Sequence, residues 1–236
     1  MNILIPCAGS GSRFKSAGYY GPKPLIPVNG KAMIEKVVDN IGLHDGKHVF
    51  IIQQKESSNI YLNLAVRVAV VEINGITEGA ACTVLKAIDE IDNKKELIIA
   101  NSDQLVLDKD FMKTAMIYFA KKDADGGIIC FLNDNPKWSY VKINGESVSE
   151  VVEKKVVSNI ATVGIYYYKE GRMFVDAAKR MIEKNVRVNN EFYVAPVFNE
   201  MILDGLKIYP YMVNEMWGLG TPEDLKAYEN YCSQGK

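Results

Sequence analysis

The stretch Met1–Phe14, MNILIPCAGSGSRF, decides the fold of this 236-residue chain. A mostly apolar run comes first, and a loop of small residues follows it directly. Glycines just past a buried parallel strand let backbone N–H groups approach phosphate oxygens closely. The stretch therefore predicts a strand that ends at a phosphate-binding loop. In this loop Arg13 adds a forked cation, and Ala8, Gly9, Ser10, Gly11 and Ser12 are the residues expected to contact the phosphates of a bound nucleotide.

The loop fits neither of two common phosphate motifs. The dinucleotide fingerprint needs a third glycine where Phe14 stands, and the P-loop needs a serine or threonine after Gly30-Lys31, where Ala32 stands. What remains is G-x-G-x-R, which suits the β- and γ-phosphates of a nucleotide. A tight turn without a ligand is the alternative interpretation.

Short apolar segments alternate with helical patterns through the first half of the chain. The apolar segments recur at residues 49–52, 68–73 and 97–100, and apolar residues at helical spacing separate several of them. This rhythm predicts an α/β fold with a mostly parallel sheet flanked by helices. The turn pair Asn144-Gly145 lies between two strand patterns and predicts a small antiparallel element in the second half. No linker or repeat interrupts the pattern, so we expect a single domain over residues 1–236.

Composition and charge exclude several classes of protein. The formal net charge is −1 and hydrophobic residues make up 48% of the chain, so neither a nucleic acid nor a membrane surface is an expected partner. No apolar run approaches the roughly 20 residues that span a bilayer. The amino terminus has no basic region ahead of its apolar stretch, and the four cysteines are scattered. We therefore expect reduced thiols and a cytoplasmic location.

A second candidate cation follows within one loop length. Prolines on both sides of Lys23 in the segment Pro22–Val28 stiffen the backbone there. A lysine held in this way near a phosphate loop is a preorganised point charge. A solvated lysine on a rigid surface loop is the alternative.

Together, Ala8–Phe14 and Pro22–Val28 resemble the opening motif of the sugar nucleotidyltransferases, also called nucleoside-diphosphate-sugar pyrophosphorylases. Gly220–Leu225, GTPEDL, closely matches another motif of that family. The resemblance spans Met1 to Leu225. It implies a glycosyltransferase-A-like (Rossmann-like) fold and the joining of an NTP to a sugar 1-phosphate, with Mg²⁺ as cofactor and pyrophosphate as product. The family often forms dimers or tetramers, so the resemblance leaves a homo-oligomer open.

The resemblance also assigns roles to individual residues. Thr77–Ala81 is similar to the base-binding segment of the family, so Glu78, Gly79 and Ala80 are expected at the nucleotide. Ser102-Asp103 stands where the family carries Gly-Asp, which makes Asp103 the expected Mg²⁺ ligand and places Ser102 at the nucleotide. Glu153 would contact the acceptor, and Lys154 would orient the phosphate of the acceptor. Catalysis then belongs to Arg13, Lys23 and Lys154.

Two further segments resemble those that line the acceptor pocket of the family. They supply Trp138, Tyr140, Glu191 and Tyr193, an aromatic platform with hydroxyls and a carboxylate that suits a polyhydroxylated ligand. Core packing is an equal alternative for Tyr193. Tyr166, Tyr167 and Tyr168 are interpreted as strand residues on alternating faces, outside any site. His44 and His48 lie in a predicted loop away from every motif and are expected to be solvated.

One position departs from the pattern of the family. An aspartate usually stands two residues before the Gly-Thr of GTPEDL as a second metal ligand, and Gly218 stands here. The second carboxylate is therefore missing or comes from elsewhere, with Glu191, Glu215 and Asp224 as unranked candidates. Asp103 and phosphate oxygens would also suffice, because Mg²⁺ commonly keeps several waters.

The Gly-Ser-Arg-Phe form of the loop resembles some cytidylyltransferases, including those of capsule polysaccharide pathways that activate sugar or polyol phosphates. The expected function is therefore transfer from CTP, with UTP and dTTP open, to a sugar phosphate or polyol phosphate. One alternative is a glycosyltransferase of the same fold. Such an enzyme would need a D-x-D metal-binding motif, and the segment Ser102–Gln104 contains one carboxylate. The other is a non-catalytic nucleotide-binding module.

Overall fold

The computed structural model describes residues 1–234. Its strands are β1 (Asn2–Pro6), β2 (Pro27–Val28), β3 (Lys31–Ala32), β4 (Lys47–Gln53), β5 (Arg67–Ile73), β6 (Leu97–Ala100), β7 (Gln104–Val106), β8 (Gly126–Leu132), β9 (Ser139–Asn144), β10 (Ser147–Glu153), β11 (Ile160–Tyr168), β12 (Ile208–Met212) and β13 (Met216–Gly218). Its α-helices are α1 (Ser12–Ser16), α2 (Met33–Ile41), α3 (Asn59–Leu62), α4 (Ala80–Leu85), α5 (Ile88–Ile91), α6 (Phe111–Lys121), α7 (Gly171–Glu183), α8 (Val197–Leu203) and α9 (Pro222–Ser233). A 3₁₀-helix spans Lys23–Leu25.

One large sheet crosses the molecule in the order β10-β9-β11-β6-β1-β4-β5, and β8 and β12 branch from β11. The strands β6, β1, β4 and β5 run parallel, as the alternating pattern predicts. From β11 onward the pairing with β6, β8 and β9 is antiparallel. The sheet therefore joins a parallel first half to a mainly antiparallel second half, in which β12 pairs parallel with β8. Two short ribbons, β2-β3 and β7-β13, lie outside it.

Helices cover both faces of the sheet. The apolar side chains of α2 and α6 pack into one core cluster, and those of α7 and α8 pack into a second cluster. In α2 the residues that recur at helical spacing, from Met33 to Ile41, are buried as the spacing predicts. The strands between these layers lose both faces to the core, which explains their nearly continuous apolar sequences.

The predicted hairpin turn is present between β9 and β10. Gly145 has a φ of +62°, the left-handed conformation that favours glycine in such a turn. All four cysteines are free thiols in the structure. Within residues 1–234, none of the helices is both long and apolar enough to span a bilayer.

The expectation for His48 is wrong. The residue lies on β4 and is completely buried, and burial lowers the pKa of its imidazole to about 4. His48 is the first of five consecutive buried residues on β4, and the strand begins one residue before it, at Lys47. The loop prediction follows from a polar residue standing just before an apolar run. The pairing of His48 with Ile3 of β1 places that residue inside the strand.

Candidate active site

The loop after β1 forms one wall of a cavity of about 430 Å³. Gly11 has a φ of +61° and caps the short helix α1, which carries Arg13 on its exposed side. Phe14 is buried and anchors that helix against the core. The five residues from Ala8 to Ser12 and Arg13 all line this first cavity. The loop therefore presents small residues and one cation to the same space.

Lys23 lies directly beside the glycine loop. A Cβ on Gly11 would be 3.4 Å from the Cβ of Lys23, so the two backbones pack closely. Pro22 precedes the 3₁₀-helix and Pro24 lies inside it, which restricts the backbone on both sides of the lysine. The Nζ of Lys23 donates a hydrogen bond to the Asp103 carboxylate in a partly buried ion pair. The lysine is thus preorganised in the first cavity.

Asp103 follows β6 at the carboxyl edge of the parallel strands, where open α/β sheets bind ligands. Its backbone carbonyl accepts a hydrogen bond from Leu219 N at 2.6 Å. Gly220 lies against its carboxylate, since a Cβ there would be 3.1 Å from Oδ2. These contacts hold the loop that begins the GTPEDL motif against the aspartate.

A second cavity, of about 530 Å³, opens on the antiparallel half of the sheet. Its floor is polar, because the Ser139 hydroxyl donates to the Glu153 carboxylate and the hydroxyls of Thr162 and Tyr166 lie 3.3 Å apart. Burial raises the pKa of Glu153 above its usual value, although the hydrogen bond from Ser139 acts in the opposite direction. The floor therefore combines hydroxyls with a carboxyl group that is costly to ionise.

Lys154 stands at one side of this second cavity in an unusual conformation. Its φ is +53°, and its Nζ lies 4.5 Å from the centre of the Tyr193 ring while donating to the phenol oxygen. Burial raises the pKa of the Tyr193 phenol, so that hydroxyl is neutral at ordinary pH. A strained backbone at a non-glycine residue is common where side chains serve a function.

The two cavities meet at a shared wall. Both are lined by Arg13, Ala80, Asn101, Asp103 and Gly220. Lys23 lies on the first cavity, and Lys154 lies on the second. The two lysines therefore lie on opposite sides of a junction that carries both Arg13 and Asp103.

The far end of the first cavity is built by two tightly fixed loops. Gly79 packs on the backbone of Phe192, where Phe192 N donates to Glu78 O at 2.8 Å and Ala81 N donates to Phe192 O at 2.9 Å. The carboxamide of Gln53 links the glycine loop to a neighbouring loop. Its Nε2 donates to Ala8 O at 2.7 Å and to Gly75 O at 3.0 Å. This end offers backbone amides and carbonyls in fixed positions.

The donor set fits a magnesium ion with a single protein carboxylate. Among residues 1–234, no group of three or more histidine, cysteine, aspartate or glutamate side chains could hold a metal on its own. Asp103 lies at the junction of the cavities, and Mg²⁺ is often bound through one or two carboxylates together with phosphate oxygens and waters. A shared substrate–metal site at Asp103 is consistent with these residues.

Comparison with known proteins identifies the family. A family profile described as "Nucleotidyl transferase" matches residues 3–234. The chain belongs to the nucleotidyl transferase family. It is 23% identical over 240 residues to the bifunctional protein GlmU of Methanocaldococcus jannaschii and 26% identical over 246 residues to that of Sulfurimonas denitrificans. Those alignments cover 98% and 97% of this chain and 54% and 52% of the relatives, so the chain spans about half the length of these proteins.

Solved structures share the fold of this nucleotidyl transferase at low sequence identity. A nucleoside-diphosphate-sugar pyrophosphorylase from Vibrio cholerae RC9 superposes with a TM-score of 0.84 at 23% identity, covering 97% of this chain and 99% of the other. An inositol-1-phosphate CTP transferase from T. maritima gives a TM-score of 0.79 at 14% identity, with 99% and 95% covered. A UDP-glucose pyrophosphorylase in complex with UDP-glucose gives 0.80 at 17% identity, with 100% and 99% covered. The expected fold class is confirmed.

Most residues singled out in the sequence lie on the two cavities of this nucleotidyl transferase. The first cavity is lined by Ala8, Gly9, Ser10, Gly11, Ser12, Arg13, Lys23, Gly79, Ala80, Ser102, Asp103 and Glu191. The second is lined by Trp138, Glu153, Lys154 and Tyr193, together with the shared residues. Glu191 therefore lies on the opposite side of the junction from the predicted acceptor residues.

Two predicted site residues lie outside both cavities. Tyr140 is completely buried and its hydroxyl donates to Asn135 O at 2.7 Å. It follows Ser139 on β9, and because successive strand residues point to opposite faces, Ser139 faces the cavity while Tyr140 faces the core. The Glu78 side chain is exposed and pairs with Arg187 at 3.3 Å, whereas Thr77 and Gly79 on either side of it line the first cavity. The acceptor-pocket assignment of Tyr140 is corrected, and the nucleotide contact of Glu78 stays a prediction.

The prediction that Tyr166 lies outside any site is wrong, because the residue lines the second cavity. Residues 166 to 168 do alternate between the two core clusters as predicted, but β11 carries a register shift between Thr162 and Tyr166 that opens the sheet at the cavity.

Sequence reasoning also missed Gln53, Asn101, Gln104 and Lys137. The last three line the second cavity, and Gln53 fixes the first. Only the closeness of Asn101 and Gln104 to Asp103 in the chain could have indicated them.

Proposed function

We propose that this protein transfers a nucleotidyl group from an NTP, with CTP favoured over UTP and dTTP, to the phosphate of a sugar phosphate or polyol phosphate. The products are an NDP-sugar or NDP-polyol and pyrophosphate. The observation that carries the proposal is the junction itself. Two cavities of substrate size meet at Arg13 and Asp103, and each has its own lysine.

In the proposed reaction, an oxygen of the acceptor phosphate attacks the α-phosphorus of the NTP. A bond from that oxygen to phosphorus forms, and the bond from phosphorus to the bridging oxygen of the β-phosphate breaks, so pyrophosphate leaves. The attacking oxygen is already anionic at neutral pH, and no general base is required. Catalysis then consists of positioning and charge neutralisation.

Arg13, Lys23 and Lys154 each position or neutralise a different phosphate group in this reaction. The glycine loop and Arg13 hold the β- and γ-phosphates and stabilise the charge that develops on pyrophosphate. Lys23 reaches the α-phosphate from the first cavity, and Lys154 orients the acceptor phosphate from the second. Asp103 would hold Mg²⁺, which when bound supplies further positive charge to the phosphate oxygens.

Support for CTP rests on the Gly-Ser-Arg-Phe form of the loop, Gly11–Phe14. Similar structures include a protein described as acting on UDP-glucose and another described as an inositol-1-phosphate CTP transferase, so the fold accommodates both kinds of base. The fixed carbonyls and amides around Ala8 and Gly79 can read either. Capsule polysaccharide synthesis, a cytoplasmic location and a homo-oligomer belong to the same proposal.

The test is a pyrophosphate-release assay with CTP, UTP, dTTP, ATP and GTP in all combinations with a panel of sugar and polyol phosphates. We expect release that requires both an acceptor and Mg²⁺ and that EDTA abolishes. A clear preference for UTP or dTTP would overturn the assignment of CTP and leave the reaction class intact.

The same experiment separates the two alternatives. A glycosyltransferase would release no pyrophosphate from an NTP and would transfer sugar from a supplied nucleotide sugar. A non-catalytic module would bind NTP, measured by calorimetry, without turning it over. The Asp103→Asn variant is the matched control for the role of Asp103, since it keeps the shape of the side chain and removes its charge.

A further inference from the structure

Glu153 is the last residue of β10, and it lines the second cavity. It is only 8% exposed, and within residues 1–234 the Ser139 hydroxyl is the one hydrogen-bond donor to its carboxylate, at Oε2. The other oxygen, Oε1, has no protein donor, yet it is not among the side-chain oxygens that are closed off from solvent. One side of this largely buried carboxylate is therefore open to a ligand in the cavity.

The other carboxylates of the second cavity have cationic partners. Asp224 pairs with Lys137 at 3.1 Å, and Asp103 pairs with Lys23. Glu153 forms no ion pair in the part of the chain that the structure describes, and burial raises the pKa of its carboxyl group. Buried charges in proteins are normally paired, because the lost hydration is otherwise not replaced. A carboxylate left without a cation in a binding cavity therefore requires an explanation.

Lys154 brings a cation beside this carboxylate without forming an ion pair with it. Successive residues of an extended strand point to opposite faces, but Lys154 follows the end of β10 with a φ of +53°, and both side chains line the second cavity. The lysine ammonium donates to the Tyr193 hydroxyl. Two consecutive residues, with Cα atoms ~3.8 Å apart, thus present one positive and one negative group to the same space.

We infer that the acceptor carries a cationic amino group, which binds Glu153 while the acceptor phosphate binds Lys154. The inference rests on the proposed function and narrows its substrate class to phosphates that bear an ammonium group, such as amino sugar phosphates. An ammonium group compensates the buried charge, whereas a neutral hydroxyl supplies a hydrogen bond and leaves that charge unpaired. Glu153 is then a specificity-determining residue.

The experiment uses three pairs of acceptors in which an ammonium group replaces a hydroxyl group at one position. The pairs are glucosamine 1-phosphate and glucose 1-phosphate, glucosamine 6-phosphate and glucose 6-phosphate, and ethanolamine phosphate and ethylene glycol phosphate. Pyrophosphate release is measured with the NTP that the protein uses best. We expect the unsubstituted protein to favour the ammonium-bearing member of at least one pair by ~10-fold or more in kcat/KM, as close charge pairs at binding sites do.

Glu153→Gln removes the charge and keeps an oxygen that accepts from Ser139. The variant should reduce the preference to ~3-fold or less, mainly through a higher KM for the ammonium-bearing acceptor. Glu150→Gln is the matched control, because it makes the same change on the same strand at an exposed residue that lines neither cavity. Its preference should equal that of the unsubstituted protein.

Thermal unfolding without ligand provides a second readout. Because the carboxylate is buried without a cation, Glu153→Gln should unfold at the same temperature as the unsubstituted protein or higher. A lower unfolding temperature would show that the charge already has a stabilising partner, which would overturn the inference.

The acceptor comparison on the unsubstituted protein decides the matter without any variant. Equal use of both members of all three pairs, turnover of neutral acceptors alone, or a preference that survives Glu153→Gln would overturn the inference and leave the proposed function intact. No pyrophosphate release with any acceptor phosphate would instead refute the proposed function, and this inference with it.

Discussion

The indole ring of Trp138 covers Gly218, so that a Cβ at position 218 would lie 2.9 Å from Cη2 of Trp138. Position 218 is where the family pattern that the sequence resembles predicts an aspartate as a second metal ligand. In this chain the space for that side chain belongs to an aromatic ring. The tryptophan therefore occupies the space that a side chain at position 218 would need.

Restoring the aspartate should not restore the metal site. We expect Gly218→Asp to lower the free energy of unfolding by about 1–3 kcal/mol, because the new side chain collides with the ring. Urea denaturation measures the loss. In a double-mutant cycle, Gly218→Asp should cost less when Trp138→Ala is also present. Equal costs with and without the ring would show that the indole is not the obstacle.

Gly79 should tolerate no side chain. A Cβ there would be 2.5 Å from both the N and the O of Phe192, and the residue has a φ of +127°. The Phe192 backbone cannot move away, because it hydrogen-bonds to the segment on both sides of Gly79. We expect Gly79→Ala to destabilise the protein by about 2 kcal/mol or more and to weaken NTP binding, both measured on the purified variant.

Gly205 provides the matched control for Gly79. It also has a positive φ, +77°, but nothing lies within 4 Å of a Cβ there. Gly205→Ala should therefore cost only the backbone strain, about 1–2 kcal/mol, with little effect on NTP binding. If the two variants behave alike, the contact with Phe192 is not what requires a glycine at position 79.

Arg13 should be essential for turnover. Its side chain lines both cavities, and removal of one preorganised charge-stabilising group commonly costs 10²-fold or more. We expect Arg13→Ala to lose at least ~10²-fold in kcat in the pyrophosphate-release assay. Lys15→Ala changes an exposed cation on the same short helix that lines neither cavity, and it should stay within ~3-fold of the unsubstituted protein. An Arg13→Ala enzyme within that same range would remove Arg13 from the mechanism.

His48 should make stability depend on pH below neutrality. Burial lowers its pKa from 6.5 to about 4, so between these values the unfolded chain binds a proton that the folded chain does not. The stabilisation is complete above about pH 6.5 and is lost as the pH falls toward 4, with a total on the order of 3 kcal/mol. His48→Phe should lose less stability than the unsubstituted protein over this range in urea unfolding. His44→Gln, at an exposed site, should keep most of the pH slope, because the charge of His44 lowers the pKa of His48 less than burial does. An unchanged pH slope in His48→Phe would contradict the expectation.

Local sequence signals predicted the parallel half of the fold well. The apolar segments of β1, β4, β5 and β6 and the spacing of α2 depend on burial patterns that are visible along the chain. The glycine loop and the proline-flanked Lys23 were found for the same reason, since their conformations are fixed by neighbouring residues. The prediction for Tyr140 fails because side-chain direction depends on strand register, which a shift of one residue reverses. The prediction for His48 fails because the pairing with β1 extends the strand beyond its apolar run.

The sequence by itself determined the fold class, because the alternation of apolar strands and amphipathic helices is visible along the chain. It also indicated the glycine loop with Arg13 and the candidate metal ligand Asp103, because both lie in short motifs of consecutive residues. The tertiary structure alone decided that Lys23 pairs with Asp103 across 80 positions of chain and that Trp138 fills the space at Gly218. These relationships depend on distances between elements that are remote in the chain, and sheet order and register set those distances.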